Sequence, residues 1–150
     1  MKTLLTRFVV IMLVVLLTCT PAAAATTPTV SITLLTPLPT ELAVGQSYTI
    51  QVSIVSNEPF IVAMAMPDRY YPGRGIFFHD TDRVAHATEA VLELTVTGKA
   101  STANLAAVSD WPTPGENWPA GVAPASVVAG VRFVKGQLVS ERFNFAVKVP

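Results

Sequence analysis

Both histidines of the chain lie in its densest polar stretch, His79-Asp80-Thr81-Asp82-Arg83 followed by His86. Imidazole and carboxylate side chains together suit zinc, copper or nickel, whereas carboxylates alone prefer calcium. Met64 and Met66 add two thioethers two residues apart, ligands that favour cuprous copper if they reach the same point. His79, Asp80, Asp82 and His86 are therefore the candidate metal ligands. An EF-hand is excluded: counted from Asp80, the fifth and twelfth positions are Val84 and Val91, where oxygen ligands are required. The competing reading is a polar turn between strands, with Asp80 and Asp82 bonded to nearby backbone N–H groups. On that reading Met64 and Met66 share one face of a buried strand.

A second constellation is aromatic. Tyr70, Tyr71, Trp111 and Trp118 all fall in segments rich in proline and glycine. Rings held on loops above a rigid frame can stack on sugar rings, and Asp68, Arg69, Asp110, Glu116 or Asn117 would bond the hydroxyls. The same rings could instead cap the open ends of the fold, a half-buried role that suits side chains with one polar end. These four are the candidate ligand-binding residues.

Signatures of catalysis are missing. There is no Gly-x-Ser-x-Gly elbow and no His-Glu-x-x-His. Gly98-Lys99 lacks the following Ser or Thr of a phosphate loop, and Glu93 stands at its upstream glycine position. Gly73-Arg74-Gly75 lacks the third glycine and the helix of a dinucleotide site. A paired-carboxylate hydrolase needs two acids at the right separation, which Asp68, Asp80, Asp82, Asp110 and Glu116 do not reveal by spacing. The expectation is a protein that is not an enzyme, with no catalytic residues. Its only expected cofactor is the metal ion of the first reading.

The elements that position these residues start after a leader. Met1 to Ala25 has a charged start (Lys2, Arg7), an apolar run from Phe8 to Leu17, and small residues Ala23 and Ala25 before Thr26. That pattern predicts a secretory signal peptide over residues 1–25. The apolar run is shorter than the ~20 residues that span a bilayer. Cys19 opens a second reading, lipidation after cleavage, but Thr18 stands where Gly or Ala is favoured. Residues 26–150 are expected as one secreted or envelope-associated domain, membrane-bound only if Cys19 is lipidated.

Cys19 is the sole cysteine, so cleavage near Ala25 leaves a chain without disulfides, cysteine-bound zinc or a cysteine nucleophile. Without Lys2 and Arg7 the chain has eight basic and ten acidic residues, a charge near −2. No basic run exists, which argues against nucleic acid. The expected partner is an extracellular protein or glycan.

Alternation dominates this region. Val30, Ile32 and Leu34, then Tyr48 to Ile54, Leu92 to Val96 and Phe143 to Val149, alternate apolar with polar positions. Each run predicts a strand with one face on a core and one in water. Phe60 to Met66, Ile76 to Phe78 and Val127 to Phe133 predict further strands, and Ala103 to Val108 reads as a strand or a helical turn. Lys135-Gly136 predicts the turn of a closing hairpin. Asp110 to Pro124 is one long irregular stretch. Seven to nine short strands separated by turns predict an all-β fold, a single antiparallel β-sandwich. Tyr48, Ile50, Val52, Leu94, Phe143 and Phe145 are its expected core.

Pro39, Leu42, Gly45, Tyr48, Ile50 and Val52 spell Pro-x-x-Leu-x-x-Gly-x-x-Tyr-x-Ile-x-Val. This opening resembles the first strands of bacterial immunoglobulin-like domains of the cell-adhesion-related type, and Val131 to Val149 is similar to their closing hairpin. The resemblance covers the two ends of the domain, while Met64 to Pro124 departs from it. It implies an immunoglobulin-like sandwich and a non-catalytic module for adhesion, spacing or binding, and it carries over no site residues.

Overall fold

A computed structural model of the chain describes residues 27–70, 74–79, 81–101 and 121–150. It is all-β among these residues, with six strands: β1 (Val30–Leu34), β2 (Ser47–Tyr70), β3 (Ile76–Phe78), β4 (Asp82–Gly98), β5 (Val122–Arg132) and β6 (Leu138–Lys148). They form one antiparallel sheet in the order β3-β4-β2-β5-β6, and β1 pairs with β2 off this path. The alternating runs lie in strands, except that Val149 falls just past the end of β6. Ala103 to Val108 lies outside the described residues.

Two runs expected as separate strands, Tyr48 to Ile54 and Phe60 to Met66, are joined in the 24-residue β2. Pro59 and Pro67 do not end it. Each sits at an irregularity, one between Val55 and Phe60 and one between Pro67 and Arg69. A proline cannot donate to the ladder and is accommodated where pairing is already interrupted. Likewise, Asp82 to His86 is not a turn but the start of β4. Thr81 to Thr97 contains neither glycine nor proline, so nothing in it breaks an extended chain.

The sheet folds over itself. Asp82 and Glu93 are eleven residues apart within β4, which would place them about 36 Å apart if it were straight. The Glu93 N–H nevertheless donates to Asp82 Oδ2 at 2.8 Å. The bend falls between them. His86 has a φ of 53°, a left-handed conformation uncommon outside glycine. Opposite, β2 takes five steps from Val55 to Phe60 while β4 takes two, from Glu89 to Ala87. The rings of Phe78 on β3 and Phe145 on β6 are 6.3 Å apart, although four strand spacings in a flat sheet would separate those strands by about 19 Å.

One core fills the fold. Ile50, Val52 and Ile54 of β2 and Leu92, Leu94 and Val96 of β4 are buried. Past the bulge the inward positions of β2 change parity to Ala63 and Ala65, which join Ala125, Val127, Ala129 and Val131 of β5 in the same cluster. Of the expected core, Ile50, Val52 and Leu94 are fully buried. Tyr48, Phe143 and Phe145 are half-buried against it, and the Tyr48 hydroxyl donates to the Pro37 carbonyl at 2.6 Å. The hairpin turns where glycine permits: Gly136 has a φ of 83°, and its N–H donates to the Phe133 carbonyl at 2.9 Å.

Residues 40–46 tie the ends of β6 and β4 together. Leu42 N–H donates to the Lys148 carbonyl and Lys148 N–H to the Thr40 carbonyl, at 2.9 and 2.8 Å. Gly45 N–H donates to the Gly98 carbonyl and Gly98 N–H to the Gln46 carbonyl, at 2.8 and 2.9 Å. A Cβ at Gly98 would lie 2.3 Å from the Ala43 carbonyl oxygen, so only glycine allows this approach.

Candidate functional site

The polar stretch is spread along β3 and β4. His79 follows β3; its N–H donates to the Thr95 carbonyl at 2.9 Å. Its Nε2 is 2.6 Å from Thr97 Oγ1, which is 2.8 Å from Ser47 Oγ. The imidazole stands edge-on to Phe77, with ring centroids 5.2 Å apart. Asp82 lies opposite Ala65 in the ladder. Its Oδ1 accepts from Arg83 N–H and its Oδ2 from Glu93 N–H, both at 2.8 Å. His86 is exposed at the bend. Asp80 lies outside the described residues.

Among the described residues no group of three or more His, Cys, Asp or Glu side chains is arranged to hold a metal ion. Met64 and Met66 line an open groove of about 370 Å³ with Val62, Val128 and Leu138. They do share a face, as their spacing implies, but it is not a buried one: both are only partly covered.

Of the four candidate rings, Tyr70 is described, at the end of β2. It is half-buried and packs edge-on against Phe78 at 5.1 Å, which in turn meets Phe145. Tyr71, Trp111 and Trp118 lie outside the described residues, as do Asp110, Glu116 and Asn117. Asp68 accepts from Arg142 Nε at 2.8 Å and from the Ser126 hydroxyl at 3.3 Å. It thereby fastens the end of β2 to β5 and β6. Arg69 Nε is 3.9 Å from the same carboxylate.

Gly75, Lys99 and Gly121, near three of the four points where residues 71–73 and 102–120 join the described residues, meet at one corner. Residues 71–73 run from Tyr70 to Arg74, and residues 102–120 from Ser101 to Gly121. Lys99 N–H donates to the Gly75 carbonyl, and Val149 N–H to the Gly121 carbonyl, both at 2.7 Å. A Cβ at Gly75 would meet the Lys99 carbonyl oxygen at 3.2 Å and Val149 at 3.3 Å. Gly75 and Gly121 have φ of 103° and 75°, backbone conformations that glycine adopts without a Cβ penalty.

Sequence reasoning passed over Arg74, which is 1% exposed at this corner. None of its three guanidinium nitrogens has a hydrogen-bond partner among the described residues. The only signal was its place between two glycines. Compared with known proteins, the chain matches no protein-family model and no curated protein significantly.

Proposed function

We propose that the chain is an exported, non-catalytic binding module of the adhesion type, built as an immunoglobulin-like β-sandwich on residues 26–150. The observation that carries this reading is the corner formed by Gly75, Lys99, Gly121 and Val149. It ties down the described residues that follow position 73 and those that flank positions 102 to 120, the two stretches of sequence that hold Tyr71, Trp111 and Trp118. Connections tied to a rigid frame are where folded proteins commonly carry recognition. The folded-over antiparallel sheet and its closing hairpin support the sandwich, and the leader pattern of residues 1–25 supports export.

Three of the described side chains with candidate chemistry have structural tasks, which supports a non-catalytic role. Asp82 accepts two backbone amides, Asp68 fastens three strands, and His79 bonds Thr97. The ligand surface is the aromatic set Tyr70, Tyr71, Trp111 and Trp118, and a glycan or an extracellular protein is the ligand. Soluble polysaccharides added to the purified protein test this. A rise in melting temperature that is lost in Trp111→Ala and Trp118→Ala supports the reading; a rise that survives both changes removes it.

A further inference from the structure

Among the described residues β6 has one neighbour in the sheet, β5, and its other edge is met only by the bridge between Glu41 and Lys148. The bonds of that bridge show which backbone groups face this edge. Lys148 N–H donates to the Thr40 carbonyl, and the Lys148 carbonyl accepts from Leu42 N–H, so both groups point away from β5. The ladder from Leu138 to Lys148 runs without a register shift. Alternate residues of an antiparallel strand turn their backbone groups the same way, so those of Leu138, Ser140, Arg142 and Asn144 also point outward. No described residue bonds them.

The side chains of these residues share the outer face of the sheet, beside the groove of about 370 Å³. The ladder sets Met64, Gly130 and Ser140 in one row across β2, β5 and β6. Gly130 has no side chain and Ser140 a short one, so this row is low and the groove opens onto the free edge. Leu138, at the same edge, is 71% exposed. In the next row Arg142 stands opposite Val128, with its Nε on Asp68 at 2.8 Å. In the row on the other side, Arg132 stands between Val62 and Leu138. The groove is thus apolar along its floor and cationic at both ends.

We infer that the free edge of β6 and this groove form a docking site for an extended segment of a partner protein, added to the sheet as an antiparallel strand. In such strand addition main-chain bonds supply affinity and alternate side chains supply specificity. The segment carries apolar residues opposite Leu138 and Ser140. The second lies over Ser140 and Gly130 against Met64 and Met66, whose flexible thioethers adapt to it. Opposite Arg142 it carries Asp or Glu, a favourable cross-strand pair. A second copy of this chain does not fit. Self-pairing over the whole free stretch, Leu138 to Asn144, sets Glu141 against Glu141, and like charges directly opposite are destabilising. The inference goes beyond the proposed ligand surface and uses none of its four rings.

The test is a titration of the purified protein with the peptide acetyl-Thr-Glu-Thr-Leu-Thr-Leu-Thr-amide, followed by backbone amide NMR. The amides of Leu138, Ser140 and Arg142 should shift saturably and exchange more slowly with solvent. Those of Val139, Glu141 and Phe143, which face β5, should move little. Lys in place of the peptide's Glu, or Ser in place of its first Leu, should weaken binding at least tenfold, and N-methylation of that Leu should abolish it. Ser140→Pro removes an outward N–H and no ladder bond, so it should abolish binding too. The peptide controls decide the matter even if that variant fails to fold. Static edge amides at millimolar peptide, equal binding of the Lys or N-methyl peptide, or shifts of the Met64 and Met66 methyls alone would each overturn the inference. Self-association of the protein through the same amides would overturn it in favour of a second copy.

Discussion

Asp82 and Glu93 belong to the same strand, yet a carboxylate oxygen of one accepts the backbone N–H of the other at 2.8 Å. The bond spans the bend in β4 and holds its two arms together. The bond is exposed, and the net contribution of such a hydrogen bond is about 0.5–1.5 kcal/mol. Asp82→Ala should lower stability by that amount in denaturant unfolding, and Asp82→Asn, which keeps one acceptor oxygen, by less. Equal stability of Asp82→Ala and the parent would show that the bond contributes nothing to the bend.

The bend itself strains His86, whose φ is 53°. A left-handed conformation costs a residue with a Cβ roughly 1–2 kcal/mol, and glycine escapes it. His86→Gly should therefore be neutral or more stable by up to about 1 kcal/mol, since glycine also carries a larger entropy cost. The same variant addresses the metal alternative. If His86 and His79 are ligands, a zinc- or copper-dependent rise in melting temperature will vanish with either substitution.

Two glycines separate crowding from backbone strain. At Gly98 a Cβ would lie 2.3 Å from the Ala43 carbonyl oxygen, whereas at Gly45 nothing lies within 4 Å but φ is 86°. Gly98→Ala should force residues 42–46 off β4 and cost about 3 kcal/mol, the upper range for overpacking. Gly45→Ala should cost about 1–2 kcal/mol through its backbone alone. Hydrogen exchange at the Gly45 and Gly98 amides, which bond across this seam, should accelerate more in Gly98→Ala. The reverse ranking would contradict the close approach.

Asp68 and Arg142 make a partly exposed ion pair, at 24% and 49% side-chain exposure. Such pairs contribute about 0–1 kcal/mol and are screened by salt. Arg142→Ala should cost no more than that, with a smaller effect at high salt. Asp68→Ala should cost more, because it also takes the acceptor from the buried Ser126 hydroxyl. Chemical denaturation of both variants at low and high salt gives the comparison.

Much of the frame was legible in alternation. Tyr48 to Ile54 and Leu92 to Val96 have inward and outward faces as their spacing implies, and Lys135-Gly136 turns the hairpin as its glycine implies. The continuity of β2 was hidden because Pro59 and Pro67 ordinarily end strands, and only the ladder shows the irregularities that accommodate them. Asp82 read as a turn acid first and a metal ligand second. One of its two amide partners, Glu93, becomes a neighbour only when β4 folds back. Met64 and Met66 announced a shared face, but spacing does not say which face is outward. For Arg74 only the flanking glycines stood out: burial of a lone charge depends on what packs around it, not on periodicity.

The most direct measurement is the thermal unfolding of the purified protein, first with chelator, then with calcium, zinc or copper, then with a set of soluble polysaccharides. A ligand bound only by the folded state stabilises it by about 2.7 kcal/mol at 100 times its dissociation constant. For a binding module that uses the proposed aromatic residues, the expected result is a shift with a glycan, abolished in Trp111→Ala and Trp118→Ala and absent with metals. A shift with one metal alone, lost in His79→Ala and His86→Ala, would contradict it.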